Sequence, residues 1–270
     1  MNSSGDIRVT RAQIEDARIL AETCKRAFDS DLEVGAPGPG GPPGYDSVEW
    51  NGSRIVNPYL QYYKILKGET IVGGFIAGDR GLGYQVCERI WVDPDHMREG
   101  IGQRTFEIVW EGYPQADLWT LGTPEWNVRT NPFYQKLGFV KIGTTHEYPH
   151  WSGNYYEKSI TNGFPRAMST IEALRPGLNQ VVVEGLVETM QSPRTVFSRK
   201  TGEELKVVNA ILRDGTGSIR LVLWNDQIRQ VKEHSRIRLE NGYVREYRDD
   251  IQLGVGEWGV IITLVSSEGT

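Results

Sequence analysis

Cysteine is scarce in this chain: Cys24 and Cys87 are the only two in 270 residues. They lie far apart and match neither a metal-ligand nor a redox spacing, so reduced thiols of an intracellular protein are the expectation. Histidine is scarce too, at four. His146 and His150 stand in H-x-x-x-H spacing, but no further Cys or His cluster completes a site, and no metal is expected. No apolar run is long enough to span a bilayer, which argues against a membrane partner. The opening MNSSGDIRVT lacks the basic start and apolar core of a signal peptide, so the expected location is cytoplasmic. Nor is there a surplus of cations. A net charge of −5 gives no global basic field to draw in nucleic acid or anionic lipid.

What is present divides into two grammars. Up to about residue 160 the patterns alternate. Strands are predicted at 7–11, 61–66, 70–78, 83–92, 117–122, 139–147 and 154–160, with helices at 14–28, 101–112 and 127–137. That order predicts an α/β fold with a mixed central sheet and flanking helices over residues 1–160. The stretch 35–44, GAPGPGGPPG, can form neither helix nor strand. It reads as a disordered surface insertion or as a mobile lid beside a substrate site. The periodicity lapses at 161–170, a predicted linker. Strands alone follow at 179–190, 205–213, 217–225, 236–247 and 251–264, with one helical piece at 226–233 and a hairpin turn at 214–217. Five strands with a helix between the third and fourth is the order of an OB barrel, here 171–265.

The chemistry concentrates at WVDPDHMREGIGQ, residues 91–103. A strand end is followed by Gly100 and Gly102 where a helix should open, with Phe106, Ile108, Val109 and Trp110 spaced as its apolar face. Backbone N–H groups and a positive helix end then point at one spot, a site for an anionic diphosphate. The glycines let a ligand approach without a Cβ in the way.

Two blocks resemble the GNAT superfamily of N-acetyltransferases, over about residues 7–160. The first is Val92-Asp93-Pro94 followed by Met97-Arg98-Glu99-Gly100-Ile101-Gly102, against the family's V-x-P and Q/R-x-x-G-x-G/A; Met97 departs from Gln/Arg. The second is Asn127 through Phe133, Tyr134, Lys136, Gly138 and Phe139, with Thr130 replacing a small Ala. The resemblance implies acetyl-CoA as co-substrate, its diphosphate on the amides of Arg98, Glu99, Gly100, Ile101, Gly102 and Gln103. Its pantetheine would run beside Ile90, Trp91 and Val92 like an added strand. Asn127 would hydrogen-bond the cofactor arm, and Tyr134 would protonate the departing thiolate. The acceptor would be a primary amine on a protein or a small molecule. Glu88, by strand alternation, shares the face of Ile90 and Val92 and reads either as a general base or as the partner of an arginine such as Arg89 or Arg98. Trp50, Tyr59, Tyr62 and Tyr63 read as acceptor-pocket lining or as plain packing.

The second module resembles the single-stranded DNA-binding OB domains of archaeal SSB and RPA type. The carrying residues are Leu174, Pro176, Gly177, Val183, Gly185, Val187, Ala210, Asp214, Thr216, Gly217, Leu221, Leu223, Trp224, Ile237, Leu239, Asn241, Gly242 and Tyr243. Trp224, Tyr243 and Tyr247 fall where that family stacks bases. Phe197, with Arg194, Arg199 and Lys200, supplies a loop that would bind single-stranded DNA or RNA. Residues 171–270 nonetheless hold 13 Lys and Arg against 14 Asp and Glu. Three functional readings remain open at this point. They are an acetyltransferase docked on single strands, a nucleic-acid-binding protein whose first half only senses CoA, and an acetyltransferase whose barrel serves dimerisation.

Overall fold

The computed structural model describes residues 7–146, 152–160, 165–198 and 200–265. Strand β1 (Ile7–Arg11) enters a 3-10 turn at Ile14–Asp16, where the Asp16 carboxylate accepts from the Gln13 N–H at 2.7 Å. Helix α1 (Ala17–Asp29) then buries Leu20, Ala21, Cys24 and Ala27 along one side, as its apolar spacing predicts. A short helix, α2 (Val48–Ile55), follows. It went unread in the sequence because Asn51 and Gly52 are poor helix formers. Both have tertiary roles. Gly52 lets α2 approach Ile14, and the buried Asn51 amide bonds the Ser47 carbonyl while accepting from the Tyr62 hydroxyl.

Strands β2 (Leu60–Lys67), β3 (Thr70–Asp79) and β4 (Tyr84–Val92) form an antiparallel meander beside β1. Helix α3 (Ile101–Glu111) crosses over so that β5 (Leu118–Pro124) runs parallel to β4. Helix α4 (Thr130–Lys136) precedes β6 (Val140–Thr145) and β7 (Gly153–Ser159), with β7 lying between β5 and β6. One face of the sheet packs Tyr62, Ile76 and Trp91 under α1 and α2. The other packs Phe75, Ala77, Cys87 and Trp119 under α3 and α4.

The second half contains β8 (Met168–Ser169), β9 (Asn179–Met190), β10 (Arg194–Phe197), β11 (Glu204–Arg213), β12 (Ser218–Trp224), β13 (Arg236–Tyr247) and β14 (Asp250–Leu264). Strands β9, β11, β12, β14 and β13 pair in that order, and β13 closes back onto β9. The result is a five-stranded barrel filled by Val183, Val187, Leu212, Leu221, Leu223, Leu239 and Leu253. The predicted helix at 226–233 is a 3-10 helix at Asn225–Gln230, because Val231 already leaves helical geometry to enter the barrel core. Within the predicted linker, residues 161–164 lie outside the described residues, while Met168 and Ser169 pair with Val182 and Val183.

The two halves meet along a strand seam. Strand β14 pairs with β6 at Thr263–Thr144 and Leu264–Gly143. A Cβ on Gly143 would stand 2.3 Å from the Thr263 carbonyl oxygen, so only glycine admits this pairing. Buried beside it, Arg238 of β13 pairs with Glu157 of β7 and Glu184 of β9, each at 2.7 Å. The Tyr155 hydroxyl donates to Glu240 at 2.6 Å.

The proline- and glycine-rich segment is neither helix nor strand, as expected, but its reading as a disordered insertion does not hold. Gly35, at φ 107°, ends a 3-10 turn. Further on, Gly41 lies against Phe28 and Tyr45, Gly44 lies flat against the Trp50 ring, and the Pro43 carbonyl accepts from Arg89. Without side chains at these glycines, the loop seats directly on aromatic faces.

Candidate active site and nucleic-acid face

After Val92 the chain makes a 3-10 turn at Pro94–His96, capped by the Asp93 carboxylate, which accepts from the Asp95 N–H at 3.1 Å. Arg98 then takes φ 66° and Gly100 φ 81°, both left-handed, before α3 begins at Ile101. Such alternation turns successive N–H groups toward one concavity, and the first amides of a helix have no acceptor within it. Arg98, Glu99, Gly100 and Gln103 are exposed, and nothing lies within 4 Å of where a Gly100 Cβ would be. The turn is thus exposed on this side. Gly102 has a different reason: a Cβ there would meet the Phe133 ring at 3.1 Å, so this glycine sets how closely α3 and α4 pack.

Strands β4 and β5 pair only from Tyr84–Leu118 to Val86–Thr120. Beyond that, β4 stays with β3 and β5 stays with β7, so Cys87–Val92 and Leu121–Pro124 part and leave an opening between two parallel strands. The backbone of Ile90, Trp91 and Val92 borders it. The Trp91 side chain does not; it is buried under α1, its indole N–H donating to the Thr23 hydroxyl at 3.1 Å. Tyr134 of α4 stands beside the opening on the α3 face, packed edge-on against Phe106 and Phe139. Burial foremost, then Cys87 and Asp31, raises its phenol pKa well above 10, so it carries its proton at neutral pH.

Asn127 is buried, and its side-chain oxygen caps α4 by accepting from the N–H groups of Arg129 and Thr130 at 3.1 and 3.0 Å. Its amide also bonds Asp31. These bonds use the side-chain oxygen and one of the two amide N–H groups.

Glu88 requires a correction. Strand β4 has a bulge opposite Ile76 and Ala77, which places Cys87 and Ile90 together in the α3-side cluster. The alternation expected for Glu88 is therefore broken. Its carboxylate lies over Gly78, toward the α1 and α2 face, and pairs with Arg80 at 2.7 Å rather than with Arg89 or Arg98.

Three residues that no motif signals complete this region. Arg129 pairs with the buried Asp31 and also donates to the Met97 sulfur at 3.2 Å, linking α4, the α1 exit and the glycine turn. Asp31 has its carboxyl pKa raised, by burial first, with Arg129 pulling the other way. Arg89 is buried on the α1 and α2 side. Only spatial proximity relates these residues, so single-sequence spacing could not reveal them. His146 bonds Ser152 through its ring at 3.1 Å, and His150 lies outside the described residues. Among the described residues no group of three His, Cys, Asp or Glu could hold a metal. No helix of the described residues is long and apolar enough to cross a membrane.

On the barrel, the side chains opposite the core line up across strands. Ile211, Arg220, Gln252 and Arg245 form one row, and Asn209, Val222, Gly254 and Tyr243 the next. Tyr243 lies across the bare backbone of Gly254, with Arg245 6.0 Å from its ring centre. Trp224, paired with Val207, is half-buried on this outer side and not in the barrel core. Tyr247 and Phe197 are exposed, Arg248 stacking 5.2 Å over Tyr247. Arg194 and Lys200 are exposed near Phe197 in sequence, whereas Arg199 lies outside the described residues.

Comparison with known proteins gives matches in each half of the chain. Residues 58–141 match the acetyltransferase (GNAT) domain model, and residues 177–263 match that of the single-stranded DNA binding protein Ssb-like OB fold. Replication factor A of Methanothermobacter thermautotrophicus is 38% identical over 81 residues, 29% of this chain and 10% of that protein. The chain thus spans about a tenth of the length of the curated relative it matches. Among solved structures, an acetyltransferase of Thermus thermophilus is similar at TM-score 0.49 and 16% identity, covering 59% of this chain and all of that one. The PaiA N-acetyltransferase of Thermoplasma acidophilum, in complex with coenzyme A, gives 0.47 and 17%, covering 57% and 99%. A replication factor A related protein of Methanobacterium thermoautotrophicum gives 0.32 and 29%, covering 37% and 92%. The chain carries a GNAT acetyltransferase domain followed by an Ssb-like OB-fold domain.

Proposed function

We propose that this chain is an acetyl-CoA-dependent N-acetyltransferase whose barrel binds single-stranded nucleic acid. The parting of β4 from β5 beyond Val86, directly before the exposed glycine turn, carries the reading. The residues fit the cofactor: open amides at 98–103 for the diphosphate, and a free strand edge at 90–92 for an extended amide-bearing arm. Transfer is direct, since both cysteines are buried and burial raises their thiol pKa values, Cys24 to about 12. A deprotonated amine attacks the thioester carbonyl, and a backbone N–H of the β4 edge stabilises the oxyanion. Tyr134, protonated, delivers its proton to the leaving thiolate. Glu88, held by Arg80 on the opposite face, accepts the amine proton directly or through water. The two outer barrel rows that hold Arg220 and Arg245, and Tyr243, support strand binding, Trp224, Tyr247 and Phe197 supplying further ring faces.

Coupled detection of CoA release over a panel of amines tests the enzyme reading. Acetyl-CoA binding without release from any amine would instead make this half a sensor. Oligo-dT quenching of tryptophan fluorescence that weakens with salt tests the barrel. Absent quenching, with a concentration-dependent dimer, would assign the barrel to self-association.

A further inference from the structure

Arg89 leaves β4 next to the bulge, on the α1 and α2 side of the opening and across the sheet from Tyr134. It is 8% exposed. Its guanidinium stacks 4.2 Å from the Trp50 ring centre and 5.8 Å from that of Phe28. One terminal nitrogen donates to the Pro43 carbonyl at 3.1 Å. The other is buried with no hydrogen-bond partner. The groups that act on Arg89 are Cys24, whose thiol also hydrogen-bonds its side chain, Tyr62 and a second cation, Arg54, which itself stacks on Trp50 and on Trp258. Asp46 is felt at Cys24, but no carboxylate forms an ion pair with Arg89 among the described residues.

A buried cation with no anion is costly, and aromatic faces return only part of that cost. An arginine fork with one arm on a neutral carbonyl and the other unbonded matches a carboxylate, which would accept from both. The glycine-rich loop lies over this spot: Gly41 touches Phe28 and Tyr45, Gly44 touches Trp50, and Pro43 supplies the carbonyl that a ligand would replace.

We propose that Arg89 anchors a carboxylate on the acceptor, making the acceptor an amino-acid-sized amine whose apolar side chain lies among Phe28, Tyr45 and Trp50. The proposal rests on the acetyltransferase reading and narrows it. Residues 41–44 lift to admit the acceptor, and the Pro43 carbonyl yields its place to the stronger, charged partner.

The test uses matched amines with and without a carboxylate: phenylalanine against phenethylamine, and tyrosine against tyramine. CoA release is measured for the full-length protein and for Arg89→Gln and Arg89→Lys. In the wild type, kcat/KM is expected to favour the carboxylated member by about ten- to hundredfold, the value of hydrogen bonds between charged groups. The preference should fall toward unity in Arg89→Gln. It should fall partway in Arg89→Lys, which keeps the charge but not the fork and carries the comparison if the glutamine variant does not fold. No preference in the wild type, or an unchanged preference in both variants, overturns the anchor. So does a peptide N-terminus that outcompetes the free amino acid. If no amine is turned over, the acetyltransferase reading fails separately, and binding decides the anchor. N-acetylphenylalanine should then quench tryptophan fluorescence more strongly than N-acetylphenethylamine in the wild type but not in Arg89→Gln. Equal responses refute the proposal.

Discussion

Replacing Tyr155 by phenylalanine removes one oxygen from the seam between the two halves. That hydroxyl donates to Glu240 at 2.6 Å and lies 3.2 Å from the Thr120 hydroxyl; the Tyr84 hydroxyl also bonds Glu240. Glu240 is 4% exposed, its second oxygen has no hydrogen-bond partner, and Arg238 stands 3.9 Å away. Burial raises its pKa, against the opposing pull of Tyr155, Tyr84 and Arg238. A hydrogen bond to a charged group contributes about 1.5–3 kcal/mol, and a carboxylate left short of donors adds desolvation. Tyr155→Phe should therefore cost about 2–3 kcal/mol at neutral pH. In a Glu240→Gln background the same change should cost about 1 kcal/mol, the value of a neutral hydrogen bond. Urea unfolding of the four proteins gives the coupling, expected at about 1–2 kcal/mol. The pH dependence has a definite sign. A carboxyl whose folded pKa lies above its ordinary 4.5 gives its full stabilising contribution below that value and loses it as pH rises through the raised one. Wild-type stability should thus fall as pH climbs from 4.5, and Glu240→Gln should flatten that fall. Equal costs for Tyr155→Phe in both backgrounds would show that the hydroxyl does not serve the carboxylate.

Other changes separate strain, chemistry and binding. Tyr134→Phe should lower kcat by about a hundredfold, the lower range of general acid catalysis, while acetyl-CoA affinity measured by titration stays the same. Because the Tyr134 phenol is raised well above 10, wild-type kcat should show no alkaline decline from this group below pH 10. Gly100→Ala meets no atom within 4 Å but must hold φ 81°. It should cost about 1–2 kcal/mol in thermal or urea unfolding and raise the KM for acetyl-CoA. Gly254→Val would drive a side chain into Tyr243 and should weaken oligo-dT binding. Trp224→Ala, which removes one base-stacking face, should cost about 1–3 kcal/mol in the same titration.

Repeating apolar patterns made most of the architecture legible. Leu20, Cys24 and Ala27 on α1 and the alternating Ile219, Leu221 and Leu223 on β12 each declare a face. The glycine turn was legible because positive φ leaves a residue signature, at least at Gly100. What escaped the sequence depends on geometry between distant segments. Helix α2 exists because Gly52 and Asn51 fit against α1 and Tyr62, a tertiary override of weak propensity. The bulge that turns Glu88 to the other face adds a residue without altering composition. Arg89 reads as one more strand cation until Trp50, some forty residues earlier, is found stacked on it. The parting of β4 and β5 has no signature in either strand alone.

The pairing of β14 with β6 also sets an order of events during synthesis. Thr144 emerges about 120 residues before its partner Thr263, and domains made first fold first. Through that interval β6 presents an open strand edge, the kind of surface that captures other chains. Ribosomes that pause within residues 165–250 would hold the acetyltransferase half folded but exposed along this edge. The barrel's last strand is thus also the closure that protects the earlier domain.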